Sequence, residues 1–102
     1  MQTIKVMPDY GCEPLWVVDE GNMPPSSFPI SDELAEKLWA WMDDYDRTLN
    51  EAYPPELGFA TKEAEQAFVK NGQSLASRLQ DELGSEYKVV YFNIMSNAVE
   101  NV

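Results

Sequence analysis

The sequence predicts a single α+β domain in the order β-β-α-α-β, a small mostly antiparallel sheet with two amphipathic helices packed on one face. Three observations lead there. Two long segments, 34–49 and 68–83, repeat apolar residues at helical spacing. Short runs rich in β-branched and aromatic residues, TIKVM, LWVVD and YKVVYF, flank those segments. A length of 102 residues, 44% of them apolar, suffices for one hydrophobic core and is near the commonest domain size.

TIKVM (3–7) and LWVVD (15–19) read as two strands of a hairpin. The stretch MPDYGCEPLW (7–16) that joins them cannot pair regularly, because Pro8 and Pro14 lack amide hydrogens and Gly11 readily takes positive φ. It reads as the connection that sets strand register, with Gly11 allowing the bend and Trp16 anchored in the core. The other reading places Asp9, Tyr10 and Glu13 on a partner-facing rim. GNMPPSSFP (21–29) reads as an extended loop, since Pro24, Pro25 and Pro29 discourage a helix.

The first helix begins where Ser31 can cap the leading amides and Asp32 and Glu33 complement the positive end of the dipole. Leu34, Leu38, Trp41, Met42, Tyr45 and Leu49 then share one face, and Pro54-Pro55 forbids continuation much beyond Asn50. The second helix starts near Thr61, another capping type. Phe68, Gly72, Leu75, Leu79 and Leu83 form its buried stripe, and Gly84 is placed to end it in a left-handed cap. A glycine inside that stripe is costly for a helix, so Gly72 is expected to admit a close neighbour. YKVVYF (87–92) completes the sheet at an interior or well-covered position. Residues 94–102 are expected to fray.

Charge is the most informative total. Seven basic and eighteen acidic residues leave −11. Such a surface repels phosphates and anionic lipid headgroups, so direct nucleic-acid or membrane partners are not expected. Residues 31–56 hold eight carboxylates against Lys37 and Arg47, a local balance of −6. No apolar run approaches the roughly 20 residues of a membrane-spanning helix. The first residues lack the pattern of a signal peptide, and a lone Cys12 can form no internal disulfide. A cytoplasmic location is the expectation.

Little in the chain suggests catalysis. There is no histidine, which removes triads and histidine metal sites. Cys12 sits between Asp9 and Glu13 in the chain, whose charges oppose a thiolate. The acidic DDYD run, 43–46, lacks the glycine and the final carboxylate of a calcium loop, and its tyrosine belongs to the apolar stripe. No catalytic residue, metal or cofactor is expected, and the protein reads as a binder rather than an enzyme.

The sharper feature is Trp39. At about 100° per residue it falls off the apolar stripe, beside Asp32, Glu36, Asp43 and Asp46. Tryptophan is enriched at interface hot spots, and carboxylates beside it would meet arginine or lysine. These five residues are the candidate partner-binding site. The competing reading packs Trp39 under the 51–60 segment or against the sheet edge and leaves the carboxylates to keep the protein dissolved.

MPDYGCEPLW, the helix text ISDELAEKLWAWMDDYDRTLN and the ending RLQDELGSEYKVVYF together resemble small acidic immunity proteins of contact-dependent growth inhibition and related polymorphic toxin systems. The likeness covers about residues 3–92, with MPDYGC followed by PLW its most specific portion. It implies a cytoplasmic antidote that binds a cognate toxin domain, a basic nuclease in the reading the charge favours, and it carries over no catalytic or contact residue. Two other classes stay open: an acidic secretion chaperone that binds an effector segment, and a mimic of DNA. Oligomeric state is not legible.

Overall fold

The computed structural model describes residues 2–9, 11–51, 59 and 61–102, with only the backbone described over 48–51. Five strands form one sheet: β1 (Gln2–Val6), β2 (Leu15–Val17), β3 (Gly21–Met23), β4 (Tyr87–Asn93) and β5 (Ala98–Asn101). Helices α1 (Asp32–Glu51) and α2 (Lys62–Leu83) lie between β3 and β4 in the chain. The strand order is β3-β2-β1-β4-β5. β1 pairs with β4 in parallel, and the other three pairings are antiparallel. The expected α+β fold is therefore present, with two strands more than the sequence suggested.

Those extra strands correct two expectations. Residues 21–23, read as loop, form the edge strand β3, and only Pro25–Ser27 beyond it makes a short 3-10 turn. Asn22 holds that edge: its amide nitrogen donates to the carbonyls of Glu13 (2.7 Å) and Leu15 (2.9 Å). The tail expected to fray instead turns back as β5. Asn93 starts the turn by accepting from the amides of Met95 and Ser96, and Asn97 takes the left-handed conformation at φ 57°.

Register decides which side chains face the helices. Val17, Ile4 and Val89 align in one row, and Leu15, Val6 and Tyr91 in the next. All six are buried beneath α1 and α2. By the alternation of strands, Lys5, Trp16 and Val90 must point to the opposite face. Trp16 therefore does not anchor in the core as expected. It is half-buried on the far side of the sheet, where its indole N–H donates to the Met7 carbonyl at 3.1 Å.

Both helices form where their caps and stripes place them. Ser31 Oγ accepts from the Leu34 amide at 3.2 Å, and Thr61 Oγ1 from the Ala64 amide at 3.0 Å. Gly84 ends α2 at φ 76°. Leu34, Leu38, Trp41 and Met42 are buried from α1, and Phe68, Val69, Leu75, Ala76, Leu79 and Leu83 from α2. The Leu49 side chain and the prolines expected to end the helix, Pro54 and Pro55, lie outside the described residues.

The helix pair closes on Gly72. Trp41 stacks on Phe68 with ring centroids 4.7 Å apart, and its indole N–H donates to the Phe68 carbonyl at 3.0 Å. Tyr91 rises from β4 into the same space. A Cβ at position 72 would lie 2.5 Å from the Tyr91 hydroxyl and 2.7 Å from Trp41 Cζ2. The missing side chain is thus what lets two aromatic rings pass beneath α2. Tyr91 Oη is buried and has no hydrogen-bond partner among the described residues. Burial, and then Glu100, push its pKa well above the usual tyrosine range.

The N-terminus of α1 is tied to the C-terminal end of α2. Glu82 accepts from the Ser31 amide (2.7 Å) and hydroxyl (2.9 Å), while Arg78 bridges Glu82 (3.1 Å) and Glu33 (2.7 Å). In a capping box the residue at the third helical position would reach back to the cap amide. Here that position is the buried Leu34, and Glu82 does the work from the neighbouring helix. The Ser31 amide above all holds the Glu82 carboxyl below its ordinary 4.5; burial opposes it, and the Ser31 hydroxyl and Arg78 add to the lowering. The Arg78 hydrogen bond, then its charge, do the same to Glu33.

Three substitutions test what these contacts contribute to stability. Gly72→Ala should destabilise by about 1–3 kcal/mol despite alanine's better helix propensity, because the added methyl overpacks the core. Tyr91→Phe removes a buried, unpaired hydroxyl, so it should leave stability equal or raise it by about 1 kcal/mol, and should partly relieve Gly72→Ala. Denaturant unfolding of the two single variants and the double variant measures both effects and their coupling. For Glu82, a lowered folded-state pKa means stability present above 4.5 and lost as pH falls through the folded value. Glu82→Gln should therefore lower the melting temperature at neutral pH, and the difference should shrink as pH falls through the folded-state value.

Candidate functional site

Asp32, Glu36, Trp39, Asp43 and Asp46 recur every three or four residues and so line one stripe of α1, about 21 Å long at helical rise. The first four are exposed and Asp46 is half-buried. Trp39 keeps 40% of its surface open, whereas Trp41, two residues on, is fully buried. The difference is angular: Trp41 turns toward the sheet and Trp39 toward the flank. The stripe's carboxylates have no cationic partners among the described residues. The two cations of α1 bind elsewhere, Lys37 with Glu33 at 3.9 Å and Arg47 with Asp44, and neither acceptor is on the stripe.

The stripe does not end with the helix face. Asp46 Oδ1 accepts from the Gly11 amide at 3.3 Å, so the β1–β2 connection lies against the second half of α1. Gly11 sits at φ 72°, in the left-handed region that its lack of a side chain permits. The connection is fastened at three further points. The Met7 amide donates to the Pro14 carbonyl (3.2 Å), the Cys12 amide to the Asp9 carbonyl (3.3 Å), and the Glu13 amide to Asn22 Oδ1 (2.8 Å). MPDYGCEPLW is thus a hydrogen-bonded connection that presents Asp9 and Glu13 beside Asp46. The loop rim and the C-terminal end of the helix stripe, separate possibilities in the sequence, meet at Asp46, and Asp9, Glu13 and Asp46 all act on Cys12. Tyr10 lies outside the described residues.

Cys12 reports on that electrostatic setting. Its half-buried thiol is pushed above its usual pKa, first by burial and then by Asp9, Glu13 and Asp46. The thiol is held away from the nucleophilic thiolate by burial and by the same charges that would attract a basic partner. Among the described residues no group of three or more histidine, cysteine, aspartate or glutamate side chains converges to hold a metal ion. An open depression between α2 and the β4–β5 turn, lined in part by Gln66, Lys70, Gln73, Asn93 and Met95, has one ionisable group, Lys70. None of the helices is long and apolar enough to cross a membrane, among the described residues.

Sequence reasoning missed the other face of the sheet. LWVVD and YKVVYF are nearly continuous apolar runs, and periodicity cannot then tell which residues face inward. The core-facing row was legible only once pairing placed Leu15 opposite Val6 and Val89 opposite Ile4.

The chain has no match among curated proteins. A family model described as Serratia CdiI immunity protein-like matches residues 2–94. That span runs from the first residue of β1 to just past the end of β4 and includes the β1–β2 connection, the α1 stripe and the Gly72 contact. With nearly the whole fold matched, the chain belongs to the Serratia CdiI immunity protein-like family.

Proposed function

We propose that this protein neutralises a cognate toxin domain, a basic nuclease, by binding it in the cytoplasm through the acidic flank of α1. The observation that carries the reading is the row Asp32, Glu36, Asp43 and Asp46, without a cationic partner among the described residues, around an exposed Trp39, on a chain of net charge −11 whose family is one of immunity proteins. A nuclease grips phosphates with lysine and arginine, and an acidic surface competes for those same groups. Carboxylates of one sign also speed encounter by steering, while the tryptophan supplies contact area once the partners touch. The loop carboxylates Asp9 and Glu13 extend the field past the end of the helix. No proton transfer or bond cleavage is needed, because inhibition is occupancy.

The test pairs affinity with ionic strength. Trp39→Ala combined with Asp43→Lys should weaken binding of the toxin domain encoded beside this protein by about tenfold or more, and should flatten the salt dependence of association. Cells producing the toxin should lose protection in step. Unchanged affinity and protection would place the interface elsewhere on the molecule. Both substitutions are at exposed positions, so circular dichroism should show the fold intact.

A further inference from the structure

The sheet has one face beneath the helices and one that no described element covers. Pairing fixes what the uncovered face presents. Trp16, Lys5 and Val90 stand side by side on β2, β1 and β4, and Phe92 stands opposite Val99 on β4 and β5. Val90 is 8% exposed and lies outside the main core cluster, while Val99 keeps 55% of its surface open. Phe92 and Trp16 are half-buried. Apolar side chains from three of the five strands, β2, β4 and β5, are more than scattered surface residues.

The charge on this face is the reverse of the rest. No strand position on it carries a carboxylate, although the chain has eighteen. It holds two of the seven cations, Lys5 and Lys88. Lys5 is half-buried on the central part of the sheet, between Trp16 and Val90, and no carboxylate pairs with it among the described residues. A half-buried ammonium flanked by an indole and a valine is suited to an incoming carboxylate that arrives with apolar neighbours.

A second copy of this chain is a poor occupant. Two such faces packed together would offer their lysines no carboxylate from either side, between bodies of −11 each. A different protein with an apolar ridge and a carboxylate fits. The β1–β2 connection joins this face to the α1 flank read above as the toxin-binding surface. The Trp16 indole holds the Met7 carbonyl at one end of the β1–β2 connection, and Gly11 meets Asp46 further along it.

We propose that the uncovered sheet face is a second docking surface for the cognate toxin domain, filled by an apolar ridge of that domain with a carboxylate opposite Lys5. The inference rests on the toxin-binding reading above and extends the contact around the β1–β2 end of the sheet. The toxin is gripped at two surfaces of opposite sign, and a basic protein lacking the ridge is refused even though the α1 flank attracts it.

The experiment measures the dissociation constant of the purified toxin domain for the native protein and for Lys5→Glu, Val99→Asp and Lys70→Glu. Lys70, exposed on α2, gives the same change of net charge as Lys5 at a distant place. Lys5→Glu and Val99→Asp should each weaken binding by about tenfold or more, and Lys70→Glu by no more than about twofold. Thermal melts confirm that each variant is folded, and exposed Val99 keeps the test valid should Lys5→Glu unfold. If the native protein binds and both sheet variants bind equally well, this inference falls and the toxin-binding reading stands. A native dimer that Val99→Asp dissociates without altering toxin affinity gives the face to a second copy and also overturns it. If the native protein binds no toxin domain, the reading beneath it falls as well.

Discussion

Trp41 and Tyr91 can share the space above β4 only because Gly72 carries no side chain. The rest of the architecture depends on that contact. It fixes the height of α2 over the sheet, and the Trp41–Phe68 stack then fixes α1 against α2. With α1 held at that angle, Leu34, Leu38 and Met42 point inward, and Trp39 and its carboxylates have no choice but the flank. The partly buried Tyr45 and Phe59 continue the aromatic cluster around Phe68, with ring centroids 5.7 and 5.0 Å from it. Fold and candidate site are thus joined through one glycine.

Charge is then sorted by layer. Most carboxylates lie on the helices and the loop beside them, where solvent and, at one corner, Arg78 accommodate them. The uncovered face of the sheet carries lysine and apolar groups instead. Glu82 shows how the acidic layer supports itself, since it accepts from the Ser31 amide, for which the third helical position of α1 offers only Leu34. By contrast, the α1 stripe makes no ion pair with the described residues. Carboxylates with no cation of their own chain beside them are available to the cations of a partner.

The helices were legible because their signals are local. Ser31, Thr61 and Gly84 mark ends through backbone chemistry that needs no tertiary context, and the buried stripes repeat at the period of the helix itself. Gly72 was legible for the opposite reason, as a residue costly in a helix that only a close contact explains. The strands were less so. β5 is made of Ala98, Val99, Glu100 and Asn101, a poor set for a strand, and exists because Asn93 and Asn97 build the turn that returns it to β4. The role of Trp16 was missed because LWVVD is apolar on both faces, so only pairing reveals that the tryptophan looks outward. In the candidate site, the helical stripe follows from spacing, whereas its junction with Asp9 and Glu13 depends on a contact between residues 35 positions apart.

The account turns on whether the toxin meets the flank of α1. The three tryptophans make that directly observable, since each has its own indole N–H environment: Trp41 bonded to Phe68, Trp16 bonded to Met7, and Trp39 exposed. In a nuclear magnetic resonance titration with the toxin domain, the Trp39 indole signal should shift and lose its exchange with water, while that of Trp41 stays in place. A complex that forms with the Trp39 signal unmoved would contradict the account.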